Sequence, residues 1–400
     1  MKELLNNKKN ILTIILIVVL IFIVLISIYI KSVFFSLKEG DIIFKDKEVK
    51  VFEDIYLSGL IEEDVKLVKD KKINTEEIGT TKIEFEYIEE KRHYLGYINI
   101  SVIDDIPPTI YINPTYTLQK GKDKDFINSI LSGDNYDNEP IRRIIGEYDK
   151  NTIGTYNLTY YIEDSSGNVT TKDFKVKVVE KVSSSNSNSS KVYFNNVIKK
   201  YKTEETEIGI DVSKWQGDID FVKVKDAGCS FVIMRLGYQN GLGGEMIIDP
   251  YFKTNIEKAT NAGLKIGVYI YTYAKNKEES ISQAKWAIKE LGDYKLDYGI
   301  SYDWESWTLI NKTKLSYYNF NKVANSFLDY VEKEGYKGML YSSKYYLENI
   351  WTETKHDVWL AHYTSNTNYK GKYKMWQMTS SGRIDGIKGA VDINILYKNN

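Results

Sequence analysis

Hydrophobic and polar positions change rhythm several times along this 400-residue chain. Residues 11–30, ILTIILIVVLIFIVLISIYI, are a twenty-residue run without a charge. That length suffices for one helix to cross a bilayer. Lys2, Lys8 and Lys9 precede the run, so residues 1–10 read as a cytoplasmic tail. The expectation is an uncleaved transmembrane signal anchor at 11–30, single-pass in the cell membrane, with everything from about residue 36 outside the cell. A cleaved signal peptide fits less well. Its apolar core is shorter and ends at a small-x-small site, which YIKSVFFSLKEG does not offer.

After the run, apolar residues fall at every second position. Ile83, Phe85 and Tyr87 do so in one stretch, and Leu158, Tyr160 and Ile162 in another. This is the rhythm of half-buried antiparallel strands. EIGTTKIEFEYIEE at 77–90 aligns with TIGTYNLTYYIEDS at 152–165, 75 residues further on. The two regions therefore read as diverged copies of one unit of short strands, a β-sandwich-like domain at 36–104 and a second at 105–181. Their simplest role is that of spacers. SSSNSNSS at 183–190 then identifies residues 182–200 as a flexible Ser/Asn-rich linker.

From 201 to 400 the rhythm changes again, to apolar runs alternating with helical stripes. The strand candidates are 208–213, 231–237, 265–273, 298–305, 338–342, 358–364, 373–378 and 391–396. Ile281, Ala284, Ile288 and Leu291 form one helical stripe, and Phe320, Val323, Ala324, Phe327, Leu328 and Val331 another. Eight strands with early βαβα alternation predict a β/α barrel, irregular at its end, where little room is left for helices. An open doubly wound sheet is the alternative, but no glycine-rich phosphate loop follows a strand. The fold class expected for the whole chain is multidomain: a transmembrane helix, two small all-β sandwiches and a C-terminal irregular β/α barrel.

Composition narrows the chemistry. Lys and Arg number 54 against 55 Asp and Glu, so no global field points to nucleic acid. The single cysteine, Cys229, lies in an apolar stretch and reads as an inert core thiol, and the three histidines lack metal-ligand spacing. Neither a metal nor a cofactor is called for, which leaves carboxylates to carry any hydrolysis. GISYDWES at 299–306 sets Asp303 and Glu305 two apart, on one face of a strand whose other face is Ile300, Tyr302 and Trp304. In a barrel the apolar face meets the helices, so the acids point inward near the strand's C-terminal end, where barrel enzymes build their sites. Asp211 on the first strand and Asp392 on the last join them, since those strands are neighbours once a barrel closes. Such a cluster cannot keep every carboxylate ionised without cost, and a raised pKa supplies an acid near neutrality. Trp215, Tyr238, Tyr269, Tyr271, Tyr273, Tyr363 and Trp376 are the aromatic candidates for packing against a sugar chain.

The segments GIDVSKWQGDIDF, FVIMRLGY, GVYIYTYA, YDWE, WLAHY, MWQ and VDIN carry a resemblance. Residues 207–397 resemble the glycoside hydrolase family 25 lysozymes, the Chalaropsis-type muramidases, with DWE in place of the commoner aspartate–aliphatic–glutamate form. The resemblance implies hydrolysis of the β-1,4 bond between N-acetylmuramic acid and N-acetylglucosamine in peptidoglycan glycan strands. It implies Glu305 as general acid and Asp303 as its partner, with Asp211 and Asp392 as two further acids at the mouth. Gln216, Arg235 and Gln377 complete the substrate-binding candidates within the matching motifs. Residues 105–181 resemble bacterial immunoglobulin-like modules. A glycan-binding module without turnover and an adhesin-like surface protein are the competing readings.

Overall fold

The computed structural model describes residues 17–27, 38–40, 42–45, 47–182, 190–306, 309–351 and 354–399. Two compact units emerge, residues 1–105 and 106–400.

The first unit corrects the expected fold class at its N-terminus. No described helix is long and apolar enough to cross a membrane. The helix at 17–27 has eleven residues, about 16 Å of rise, against a hydrocarbon core of about 30 Å. The rest of the expected anchor, 11–16 and 28–30, lies outside the described residues. The region expected as a sandwich at 36–104 holds one five-stranded sheet rather than two facing sheets. Its centre is the hairpin of Gly79–Glu89 with Arg92–Ile103, whose alternating residues Phe85, Tyr87, Ile98, Ile100 and Val102 are buried.

The second unit begins with a small β-module. Its main hairpin, Gly154–Glu163 with Val169–Val179, starts 75 residues after the first one, as the repeat predicts. Thr115–Gln119 and Ile141–Ile145 complete a four-stranded sheet, and Thr109–Tyr111 pairs with Leu131–Gly133 beside it. The two sheets share one core of Ile110, Phe126, Leu158, Tyr160, Ile162 and Phe174.

The barrel strands are β1 (Thr206–Val212), β2 (Phe231–Gln239), β3 (Lys265–Tyr271), β4 (Ile300–Asp303), β5 (Gly338–Ser343), β6 (Asp357–Ala361), β7 (Met375–Arg383) and β8 (Val391–Tyr397). All eight match the strands expected from the apolar runs. The first seven pair in parallel in chain order, and β8 pairs antiparallel with both β7 and β1, closing the ring. The helices around it are α1 (Phe221–Asp226), α2 (Phe252–Asn261), α3 (Lys277–Leu291), α4 (Ile310–Thr313), α5 (Tyr317–Lys333) and α6 (Lys344–Asn349). Period-two alternation splits each strand between two cores. Phe231, Ile233, Met339, Trp359 and Met375 fill the barrel. Val232, Met234, Leu340, Leu360 and Trp376 pack outward beneath the helices.

Residues 190–200, assigned by composition to the linker 182–200, pack on the barrel instead. Val192–Tyr193 pairs with β7, and the helix Phe194–Tyr201 buries Phe194 and Val197 in the outer core. Of the polar run, residues 183–189 lie outside the described residues.

Candidate active site

The upper rim of the barrel is built by strand ends. β1 brings Asp211 to the rim. β8 runs the opposite way, so its second residue, Asp392, sits directly across from Asp211. In a parallel last strand the same residue would lie at the far end of the barrel. On the other side β4 ends at Asp303, paired with Tyr271 of β3 and Tyr341 of β5. Trp304 turns outward and is wholly buried, whereas Glu305 lies just beyond the strand, exposed at the mouth. Asp211, Asp303, Glu305 and Asp392 all line one cleft of about 240 Å³.

The cleft is strongly biased in charge. Among the described residues Arg235 is the only cation on its wall, and Asp249 already holds it, with Nε 2.8 Å and Nη2 2.6 Å from Asp249 Oδ2. Among the described residues no lysine or arginine forms an ion pair with any of the four carboxylates. All four pKa values are raised. Burial drives Asp303 well up, the charges of Glu305 and Asp211 add to it, and Arg235 opposes them. Asp303 Oδ1 is buried without a hydrogen-bond partner. Asp392 is pushed up to about 8, by burial first and then by Asp211 and Glu305. Asp211 rises to about 6, because burial outweighs its hydrogen bonds from Asn394 and Gln377. For Glu305, desolvation between the cleft walls raises the pKa even though the side chain opens to solvent, and the Tyr341 hydroxyl pulls it back.

A polar network fixes the floor. Asp211 Oδ2 accepts from Gln377 Nε2 at 2.9 Å and from Asn394 Nδ2 at 2.7 Å. Gln377 Oε1 in turn accepts from the hydroxyls of Tyr341 (2.9 Å) and Tyr363 (3.0 Å). Trp359 Nε1 donates to Asn394 Oδ1 at 2.8 Å. Gln377, expected to bind substrate, therefore spends its amide on holding Asp211. Gln216 is likewise engaged. Its Oε1 accepts from Ser213 N, and its Nε2 donates to Ala390 O. That capping box shapes the short turn Lys214–Gln216, which holds Trp215 out on the rim at 77 % exposure.

The remaining aromatic candidates divide. Trp215, Tyr271 and Tyr363 line the cleft, as does Tyr269. Tyr238 and Tyr273 do not. Tyr238 lies over Arg235, and Tyr273 packs edge-on against Tyr271 at 5.4 Å. Trp376 faces away altogether. It is buried in the outer core against Tyr201 and donates Nε1 to His362 O. The strand alternation demands this, since Met375 and Gln377 on either side point inward. Sequence reasoning missed Asn394, Tyr341 and Trp359. Asn394 carried a signal, because it stands two residues after Asp392 on the same face.

Two features lie outside the chemistry. Cys229 is buried and its thiol is pushed up to about 12 by that burial, an inert core position. Asp329, Glu332 and His356 cluster outside the barrel and could hold a cation by geometry alone. Lys355 already pairs with Asp329 at 2.8 Å, and His356 Nδ1 lies 2.9 Å from Glu332, so the group is accounted for as a charge network.

The barrel is similar to known proteins. Residues 210–387 match the model of the glycosyl hydrolases family 25. The chain is 30% identical over 189 residues to the autolytic lysozyme of Clostridium acetobutylicum, covering 46% of this chain and 54% of that protein. It is 29% identical over 192 residues to the protein YegX of Escherichia coli strain K12, covering 47% of this chain and 68% of the relative. Among solved structures, the modular autolysin LytC of Streptococcus pneumoniae, in complex with a synthetic peptidoglycan ligand, aligns with a TM-score of 0.45 at 30% identity. That alignment covers 60% of this chain and 56% of LytC. The chain thus spans just over half the length of the autolytic lysozyme and of LytC. The family 25 match over residues 210–387 and the lysozyme relatives make the barrel a glycoside hydrolase domain of the lysozyme type.

Proposed function

We propose that the barrel hydrolyses the β-1,4 bond between N-acetylmuramic acid and N-acetylglucosamine in peptidoglycan, with Glu305 as general acid and Asp303 as its partner. The observation that carries this reading is the gathering of four carboxylates around one cleft with, among the described residues, no cation paired to them. The family match and the autolytic lysozyme relative support peptidoglycan as the substrate.

The chemistry follows from the proton balance. The four carboxyls have raised pKa values, so the cluster as a whole holds on to protons at higher pH than free carboxylates do. Glu305, the one most open to solvent, gives its proton to the glycosidic oxygen as the bond to the sugar carbon breaks. The sugar left behind carries positive charge. Asp303, beneath it, orients the N-acetyl group or stabilises that charge. Water then completes the hydrolysis and leaves a proton with the cluster. Asp211 acts by charge, raising the proton affinity of Asp303 and Asp392, and Asp392 lies across from it at the mouth. Trp215, Tyr271 and Tyr363 offer rings to the apolar faces of the sugars. The reaction takes place on the outer side of the cell membrane, where peptidoglycan lies. No step uses a metal or cofactor.

The test is incubation of the full chain with purified peptidoglycan. New reducing ends that vanish in Glu305→Gln support the reading. Binding without new reducing ends in the natural protein contradicts it, and favours a glycan-binding module.

A further inference from the structure

The helix behind the acid pair does not cap its own N-terminus alone. The first N–H groups of any helix lack intrahelical partners. In α5, Ser316 Oγ takes one of them, from Asn319. The β-module takes three more in succession. Asn138 Oδ1 accepts from Ser316 N at 2.8 Å, the Asp134 carbonyl from Tyr317 N at 2.8 Å, and the Asn135 carbonyl from Tyr318 N at 3.2 Å. Asn138 Oδ1 also accepts from Asn319 Nδ2 at 3.0 Å. Around this cap, Asn311 donates to the carbonyls of Ile127 and Ile130, and the Tyr317 hydroxyl meets Thr109 Oγ1 at 2.8 Å. Gly133 lies so close beneath the Tyr317 ring that a Cβ there would stand 2.8 Å from it.

From the cap, direct contacts lead to the acids. In the first turn of α5, Phe320 packs edge-on against Trp304 with ring centroids 4.7 Å apart, and stacks on Trp351 at 4.5 Å. Trp304 and Phe320 are fully buried. Trp304 stands between Asp303 and Glu305 in the chain, so its seat against α5 sets the turn of backbone that carries both carboxyls. Interiors packed at this density transmit a shift rather than absorb it.

We propose that residues 134–138 of the β-module are a positioning element for the reaction: they fix the N-terminus of α5 and, through Phe320 and Trp304, seat Asp303 and Glu305 at the mouth. Asn138 is the positioning side chain. The module is then a working part of the hydrolase rather than a spacer. The kinetic consequence rests on the muramidase reading, whereas the mechanical one does not.

The experiment uses the full chain with Asn138→Ala, Asn138→Asp, which keeps the acceptor oxygen, and Thr109→Val as a milder loosening of the same contact. In Asn138→Ala, amides of residues 300–306 exchange with deuterium about 3–10-fold faster, and Asn138→Asp returns them to the natural rate. On peptidoglycan, kcat falls by about 3–10-fold with KM within a factor of about two, the signature of misplaced catalytic groups rather than lost binding. Asn138→Asp restores kcat, and Thr109→Val gives a smaller change in the same direction. Faster exchange confined to 131–139 and 316–319, with 300–306 unchanged, overturns the proposal. Unaltered kcat in Asn138→Ala on an active enzyme also overturns it. If the natural protein proves inactive on peptidoglycan, the muramidase reading fails while the exchange result alone decides the brace.

Discussion

One strand carries two acids with opposite fates. Glu207 and Asp211 sit on the same face of β1, at the two ends of the barrel. At the lower end, burial pushes the Glu207 pKa up, but hydrogen bonds from Lys265 and Tyr298 and the charge of Lys265 more than offset it. Lys265 Nζ lies 2.6 Å away. Four lysines and two acids line the hollow at that end. At the upper end four acids face a single arginine that is already engaged. Strand and side-chain chemistry are alike, so the difference lies in the partner and in depth, Glu207 being half-buried and Asp211 buried. A paired carboxylate at a barrel end is part of the scaffold, whereas unpaired ones that hold on to protons can give them away.

Substitutions at the two ends should separate sharply. Glu305→Gln should lower kcat on peptidoglycan by about 10²–10⁴-fold with the melting temperature unchanged, as read by reducing-end assay and calorimetry. Asp303→Asn should cost about 10²-fold in turnover without loss of stability. Its buried Oδ1 has no hydrogen-bond partner to lose, so near-normal turnover would remove Asp303 from the mechanism.

Stability should then respond to pH with opposite signs. Asp392 has a folded-state pKa raised to about 8, against about 3.9 unfolded. Its carboxyl therefore costs nothing below the unfolded value, and it destabilises the fold progressively from about pH 4 to about pH 8, above which the cost is constant. Asp392→Asn should match the natural protein at pH 3.5 and exceed it in stability at pH 9 in urea unfolding. Glu207, with a lowered pKa, contributes stability above its unfolded value and loses it as pH falls through the folded one. Glu207→Gln should cost roughly 0.5–1 kcal/mol at pH 7, with the difference closing in acid and activity kept within about twofold. A large activity loss there would erase the contrast between the two ends.

The sequence made the barrel and its acids visible because both are written in period-two alternation. Eight apolar runs gave eight strands, and the single strand face of Asp303 and Glu305 stood out against Ile300, Tyr302 and Trp304. The reversal of β8 left no such trace, since alternation reads the same in either direction, and only Asp392 at the strand's start required it. Trp376 was drawn to the groove by its ring, although the alternation of 375–377 assigns it to the outer core. The apolar run at 11–30 satisfied a length rule for membrane spans that the eleven-residue helix described at 17–27 does not. The docking of the β-module was invisible for a different reason. The cap it places on α5 is made by carbonyls and one asparagine, and such contacts have no hydrophobic signature.

The most direct test of the account compares Glu305 with Glu207 in one sample. Carboxyl ¹³C shifts of selectively labelled protein, assigned by the peaks lost in Glu305→Gln and Glu207→Gln, would follow both through pH. The account predicts that Glu305 titrates above the ordinary glutamate value of 4.5 and Glu207 below it. Glu305 titrating at or below Glu207 would contradict it.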